Sequence, residues 1–181
     1  MYERYHGIPW TILQTERCVL REIKVEDLER LYEIYAEPSI TRYMEPLYAD
    51  REEEKRYTEA YIQNMYGFYG YGIWIVEEKE SGRIIGRAGL ENREDGEAEL
   101  GYMLAKEAQG RGIACEVCSA VLDYAGEQLG MEEIACYVRT GNEASVRLCE
   151  KLGFEWREER EMKGQSYQIY NKKLSDKNTA E

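Results

Sequence analysis

The apolar pattern first resolves at Cys18-Val19-Leu20-Arg21-Glu22-Ile23, which reads as a strand. Helical spacing follows, with Leu28, Leu31, Tyr32 and Tyr35 as the apolar positions between Val25 and Ala36. Glu37-Pro38-Ser39 predicts a stop, and a highly charged helix is expected from Asp50 to Met65, ahead of a loop from Tyr66 to Gly72. Three strands are predicted next, Gly72 to Glu78, Ile84 to Glu91 and Ala98 to Leu104, with turns at Ser81-Gly82 and Arg93-Glu94-Asp95-Gly96. After Gly112 the positions Ile113, Ala114, Val117, Cys118, Val121, Leu122, Ala125 and Leu129 recur on one helix face, closed by Gly130. Ile134 to Arg139 reads as a buried strand, and Asn142 to Leu152 as a helix capped by Asn142 and stopped by Gly153. Two further strands are expected near Phe154–Arg160 and Tyr167–Leu174. The order is mixed α/β without internal repeat, and the polar residues 175–181 read as a disordered tail.

Composition narrows the picture. A chain of 181 residues with 43% hydrophobic content suits a single domain, placed at residues 1–174. Runs such as Ile73-Trp74-Ile75-Val76 fall far short of the roughly 20 apolar residues that span a bilayer, and the N-terminus does not read as a signal peptide. No membrane association and a cytoplasmic location are therefore expected. The net charge of −12 repels nucleic acid and favours a cationic substrate such as an amine. Five cysteines and one histidine supply half a zinc site at most, at Cys115-x-x-Cys118, so no metal is expected and the thiols read as small buried hydrophobes.

The chemistry concentrates where the strand ending at Leu104 leads through a short loop into Gln109-Gly110-Arg111-Gly112-Ile113-Ala114 and the long helix. A glycine-rich turn at a helix start offers unpaired N–H groups and the positive end of the helix dipole, an anion cradle. Gly110 and Gly112 would let the backbone approach a pyrophosphate, and Arg111 would add charge. The same glycines also suit an ordinary turn. Neither G-x-G-x-x-G nor a P-loop is present.

Gln109-x-x-Gly112-x-Ala114 resembles the acetyl-CoA signature of the GNAT superfamily of N-acetyltransferases, Gln/Arg-x-x-Gly-x-Gly/Ala. The stretch from Asn142 through Ser145 and Leu148-Cys149 to Glu150-Lys151-Leu152-Gly153-Phe154 resembles a second segment of these enzymes. Thr15 to Arg21, with Pro38 to Met44, is similar to the branch containing the ribosomal-protein alanine acetyltransferases, so the resemblance spans about residues 15 to 174. It implies a central mixed, mostly antiparallel twisted sheet of about six to seven strands with about four flanking helices. It also implies acetyl-CoA as cofactor, and an amine acceptor, either a small molecule or a protein N-terminus, that attacks the thioester directly. The protein would act as a monomer or homodimer.

By the same resemblance, backbone groups at Met103 and Leu104 would bind pantetheine and polarise the acetyl carbonyl. The cofactor site would be completed by residues 109–114 (Gln109, Gly110, Arg111, Gly112, Ile113, Ala114) and Asn142. Glu99 matches a position that acts as base in some relatives. Strand alternation puts it on one face with Gly101 and Met103, opposite Leu100, Tyr102 and Leu104. Many relatives carry a tyrosine acid seven residues after the helix-initial asparagine. Here that position is Cys149, and the ribosomal-protein branch points instead to Ser145, four residues earlier on the same face. Tyr43, Met44, Tyr66, Phe68 and Tyr69 are the candidate walls of the acceptor pocket. An acyl-CoA-binding module without catalysis, and an interaction protein with an incidental glycine turn, remain the competing classes.

Overall fold

The computed structural model describes residues 11–94 and 96–174. Asp95 of the expected 93–96 turn, the tail from 175 and the N-terminal ten residues lie outside them. The strands are β1 (Thr11–Gln14), β2 (Cys18–Arg21), β3 (Ile73–Glu78), β4 (Ile84–Asn92), β5 (Ala98–Leu104), β6 (Glu133–Arg139), β7 (Glu155–Met162) and β8 (Gln165–Lys173). They form one sheet in the order β1-β2-β3-β4-β5-β6-β8-β7. Its neighbours are antiparallel except β5 and β6, which run parallel. The strand beyond the six or seven expected is β1, only four residues long and bulged against β2, too short to leave a readable alternation.

The helices are α1 (Leu28–Tyr35), the single turn α2 (Pro38–Thr41), α3 (Arg51–Tyr61), α4 (Ile113–Glu127) and α5 (Glu143–Lys151). The stop expected at Glu37-Pro38-Ser39 holds, α1 ending at Tyr35, and the same residues also open α2. Pro38 takes the first helical position, where its missing N–H costs nothing, and the Glu37 carboxylate accepts from the Ser39 N–H. Asp50 caps α3 by accepting from the N–H groups of Glu52 and Glu53.

The loop expected from Tyr66 to Gly72 shrinks to residues 70–72. A π-helix carries α3 on from Ile62 to Tyr69. Its wider turn sets Tyr61 and Tyr66 edge to face, ring centres 5.5 Å apart, and both reach the start of β3. The Tyr61 hydroxyl accepts from the Ile73 N–H at 2.6 Å, and that of Tyr66 donates to the Ile73 carbonyl at 2.5 Å. A side chain at Gly72 would meet the Tyr61 hydroxyl and the Tyr66 ring, each at 2.8 Å, so glycine is required there.

The core lies between the sheet and α4. Trp74, Ile75 and Val76 are fully buried, and Trp74 meets Tyr124 of α4 edge-on. Along α4 the buried residues Ile113, Val117, Cys118, Val121, Leu122 and Ala125 follow the helical repeat, each large aliphatic contributing about 1.5–3 kcal/mol by leaving water. All five cysteines are free thiols.

Parallel β5 and β6 meet at Glu99 and Ala135. Glu97, just before β5, binds them together: its carboxylate accepts from Tyr137 of β6 at 2.5 Å and from Arg157 of β7 at 2.5 and 3.1 Å. Beyond it, Leu100–Met103 and Cys136–Arg139 border a common cavity. The sheet is therefore pinned at one end and split at the other.

Candidate active site

Two adjoining cavities open from the split. The first, about 520 Å³, lies between the end of β5, the turn into α4 and the side of α5. Gly110 and Gly112 border it with φ of +72° and +77°, a region costly for residues with a side chain. No atom stands within 4 Å of where a Gly110 Cβ would be, so the backbone is open to a ligand. The first N–H groups of α4, without intrahelical acceptors, point to the same end. Arg147 and Lys151 of α5 add cationic charge there. Glycine backbone, helix dipole and two cations together fit an anionic group of diphosphate type.

The second cavity, about 600 Å³, lies on the other side of the split. Its floor is the β4–β5 face carrying Arg87, Glu91, Glu99, Gly101 and Met103, and the β7–β8 turn brings Met162, Lys163 and Gln165 to its rim. The segment after α2 crosses above. Tyr43 donates to the Gly141 carbonyl at 2.8 Å, and Arg139 pairs with Glu45 at 3.1 Å. Glu99 is largely buried and holds Arg93 at 2.6 Å. Burial pushes its carboxyl up from 4.5 to about 7, the nearby Glu91 charge adding to this and Arg93 opposing it.

Tyr43, Met44, Tyr102, Met103, Asn142 and Ser145 border both cavities. At this junction the Tyr102 and Ser145 hydroxyls share a hydrogen bond at 2.7 Å. Burial holds the Tyr102 phenol far above its ordinary value, so it stays protonated. Asn142 accepts from the Ser145 N–H at 3.3 Å and so fixes the first turn of α5.

The sequence model of the acetyltransferase (GNAT) domain matches residues 17–155. The chain belongs to the GNAT acetyltransferase family. It is an N-acetyltransferase, an enzyme that moves an acetyl group to an amine, and GNAT acetyltransferases use acetyl-CoA. An uncharacterized N-acetyltransferase of Bacillus subtilis, YoaA, is 33% identical over 149 residues, 80% of this chain and 82% of that one. The ribosomal protein uS5-alanine N-acetyltransferase of Escherichia coli is 27% identical over 168 residues, 86% and 84% of the two chains. Among solved structures, spermidine N-acetyltransferase of Vibrio cholerae, in complex with CoA and spermine, superposes with a TM-score of 0.73. It is 23% identical and covers 88% of this chain and 97% of its own.

Within this GNAT fold the residues singled out in the sequence divide. Met103, Leu104, Gln109, Gly110, Gly112, Ile113, Ala114 and Asn142 border the first cavity. Gln109 also ties the turn to the strand, its amide donating to the Leu104 carbonyl at 3.0 Å. Arg111 borders neither cavity, because its guanidinium pairs with Glu78 at 2.7 Å. Cys149 is buried in the core. One turn beyond Ser145 it lies about 6 Å deeper along the helix, among Cys118 and Cys136 instead of at the junction. Tyr66 is committed to β3, and Phe68 and Tyr69 are exposed to solvent, 81% and 47%, so of the five expected acceptor walls only Tyr43 and Met44 line a cavity.

The alternation along β5 holds. Met103 packs with Ile34 and Ile40 on one face, while Leu100 and Leu104 join the α4 core on the other. Tyr102, Arg87 and the β7–β8 rim were missed. A signal for Tyr102 existed, since the proton donor sought on α5 could equally come from the strand across from it. Arg87 and Lys163 leave none without the pairing register. Nor does the net charge of −12 describe the second cavity, whose lining carries the cations Arg87, Arg93, Arg139 and Lys163 against Glu45, Glu91 and Glu99. No helix among the described residues is long and apolar enough to cross a membrane.

Proposed function

We propose that the first cavity takes acetyl-CoA and the second a primary amine, and that transfer occurs at their junction. The observation that carries this reading is the shared border of Tyr102, Met103, Asn142 and Ser145 between a cationic, N–H-rich cavity and one floored by a carboxyl that titrates near neutrality. Bound acetyl-CoA supplies the acetyl thioester. The α4 N-terminus, Arg147 and Lys151 hold its anionic part, and the backbone of Met103 and Leu104, where β6 leaves β5, faces its acyl arm.

Glu99 takes the proton from the amine. It stands four residues from Met103, about 13 Å along the strand, and both border the second cavity, so the proton crosses by water through that cavity. A carboxyl poised near 7 is well matched to that task at neutral pH. At the junction the Ser145 hydroxyl, backed by the protonated Tyr102, donates to the departing sulfur. Asn142 orients Ser145 through its backbone. Cys149 and the aromatic residues Tyr66, Phe68 and Tyr69 have no part in this scheme.

The test is release of free CoA thiol from acetyl-CoA across a panel of simple amines, amino acids, polyamines and N-terminal peptides. At least one acceptor class should raise release well above solvent hydrolysis. A protein that acetyl-CoA stabilises against heat, yet that acetylates none of them, is a binding module and refutes the catalytic reading.

A further inference from the structure

The second cavity holds a cation that the transfer scheme leaves unused. Arg87 lies on β4, where its Cα pairs across the ladder with that of Met103. It shares a face with Glu91 and Glu99 and borders the cavity. Among the described residues no carboxylate stands within ion-pair distance of it. The groups acting on it are the hydroxyls of Tyr35, Tyr61 and Tyr66, and its Nε is buried without a partner. Arginine cannot escape burial by losing its proton, so an uncompensated guanidinium costs the fold stability unless an anion joins it.

The neighbouring charges are already committed. Glu99 is taken by Arg93 at 2.6 Å and Glu45 by Arg139 at 3.1 Å. Lys163 stands at the mouth with φ of +51°, a conformation unusual for a residue with a side chain, which the tight β7–β8 turn enforces. Lys163 and Arg87 together outweigh the exposed Glu91. A polyamine would bring more positive charge into a cavity that already has an excess of it.

We propose that the acceptor is an amino carboxylate, a small primary amine whose carboxylate pairs with Arg87 while its nitrogen faces the junction. This rests on the transfer reading above and narrows its acceptor. Arg87 and Met103 are cross-strand partners, with Cα atoms about 5 Å apart. The anion therefore binds beside the strand position that faces the acyl arm, and only a few bonds can separate it from the amine. A free amino acid has that spacing, and a cavity of about 600 Å³ holds one. In the reaction the amine nitrogen bonds to the acetyl carbonyl carbon and the C–S bond breaks, its electron pair leaving on sulfur. The amine proton passes to Glu99, and the thiolate receives one from Ser145. The carboxylate and Arg87 are unchanged.

The experiment compares amino acids with their carboxamides and with the amines lacking the carboxylate, by thiol release, in the wild type, Arg87→Met and Arg87→Lys. The wild type should favour the acid over its amide by about 10- to 100-fold in kcat/KM, the worth of a charge-assisted pair. Arg87→Met should erase that ratio by raising KM for the acid far more than for the amide, while Arg87→Lys keeps part of it. Equal wild-type rates for acid and amide overturn the proposal, as does an Arg87→Met enzyme slowed alike on both. A peptide N-terminus preferred over every amino acid overturns it too. The wild-type ratio needs no variant, so misfolding of Arg87→Met leaves the test intact. Release with simple amines but not with amino carboxylates sinks this proposal alone, whereas no release with any acceptor sinks the transfer reading beneath it.

Discussion

Replacing Glu99 by glutamine keeps the shape of the side chain and removes its titration. In the folded protein the carboxyl is raised from 4.5 to about 7, chiefly by burial. The native state thus holds this proton more tightly than the unfolded chain does. The stability it contributes is full below pH 4.5 and is lost as pH rises through about 7. A shift of this size corresponds to about 3 kcal/mol over that window. Glu99→Gln should therefore gain about that much relative to the wild type between pH 4 and pH 8, read by urea unfolding at each pH. Kinetically the change runs the other way. Wild-type kcat/KM for the amine should climb through an inflection near pH 7, while the variant lacks that inflection and is slower at neutral pH by about 10²–10⁴-fold, recovering in part as alkali deprotonates the amine directly. A variant as fast as the wild type at pH 7 with the same profile would refute the base assignment. Unfolding curves that keep the wild-type pH dependence would refute the burial argument.

Acetyl-CoA at a hundredfold excess over its Kd should stabilise the protein by about 2.7 kcal/mol, or about 5–10 °C in Tm. Gly112→Asp should weaken this by adding a carboxylate at the start of α4, partly offset by Arg17, whose guanidinium stands 3.7 Å from the new Cβ, and Gly112→Asn, equal in shape and tolerant of positive φ, separates charge from strain. Ser145→Ala should lower kcat by about 10²–10⁴-fold if proton donation limits the rate, and Tyr102→Phe should follow it in direction. Cys149→Ala should instead cost stability and spare the ratio of turnover to binding, with thermal unfolding and kinetics measured on one preparation. Titrating the denatured protein with a thiol reagent, without reductant, should give five equivalents.

The donor half of the site was legible because it is local. One strand, one turn and one helix start carry it in sequence order, and β5 runs over the expected 98–104 while α4 begins at Ile113 as read. The acceptor half is assembled from β4, β5, β6, the β7–β8 turn and the segment after α2. That assembly depends on register, which no single segment encodes. Tyr66, Phe68 and Tyr69 misled because glycines at 67, 70 and 72 suggested a loop, whereas two tyrosine hydroxyls at the start of β3 hold a π-helix there. Cys149 misled because sharing a helix face with Ser145 does not mean sharing a depth. The free acceptor-side charge on Arg87 is invisible in a total of −12.

The clamp at Glu97 has a mechanical meaning. From it to Leu104 is about 23 Å of strand, so a tilt of about 3° between β5 and β6 at that point moves their far ends by about 1 Å. A misplacement of that size can cost about a hundredfold in rate. Glu97, Tyr137 and Arg157 thus work as the pivot of a pair of tweezers whose tips hold the two reactants, and because Tyr137 also borders the acceptor cavity, the hinge and one jaw share a side chain.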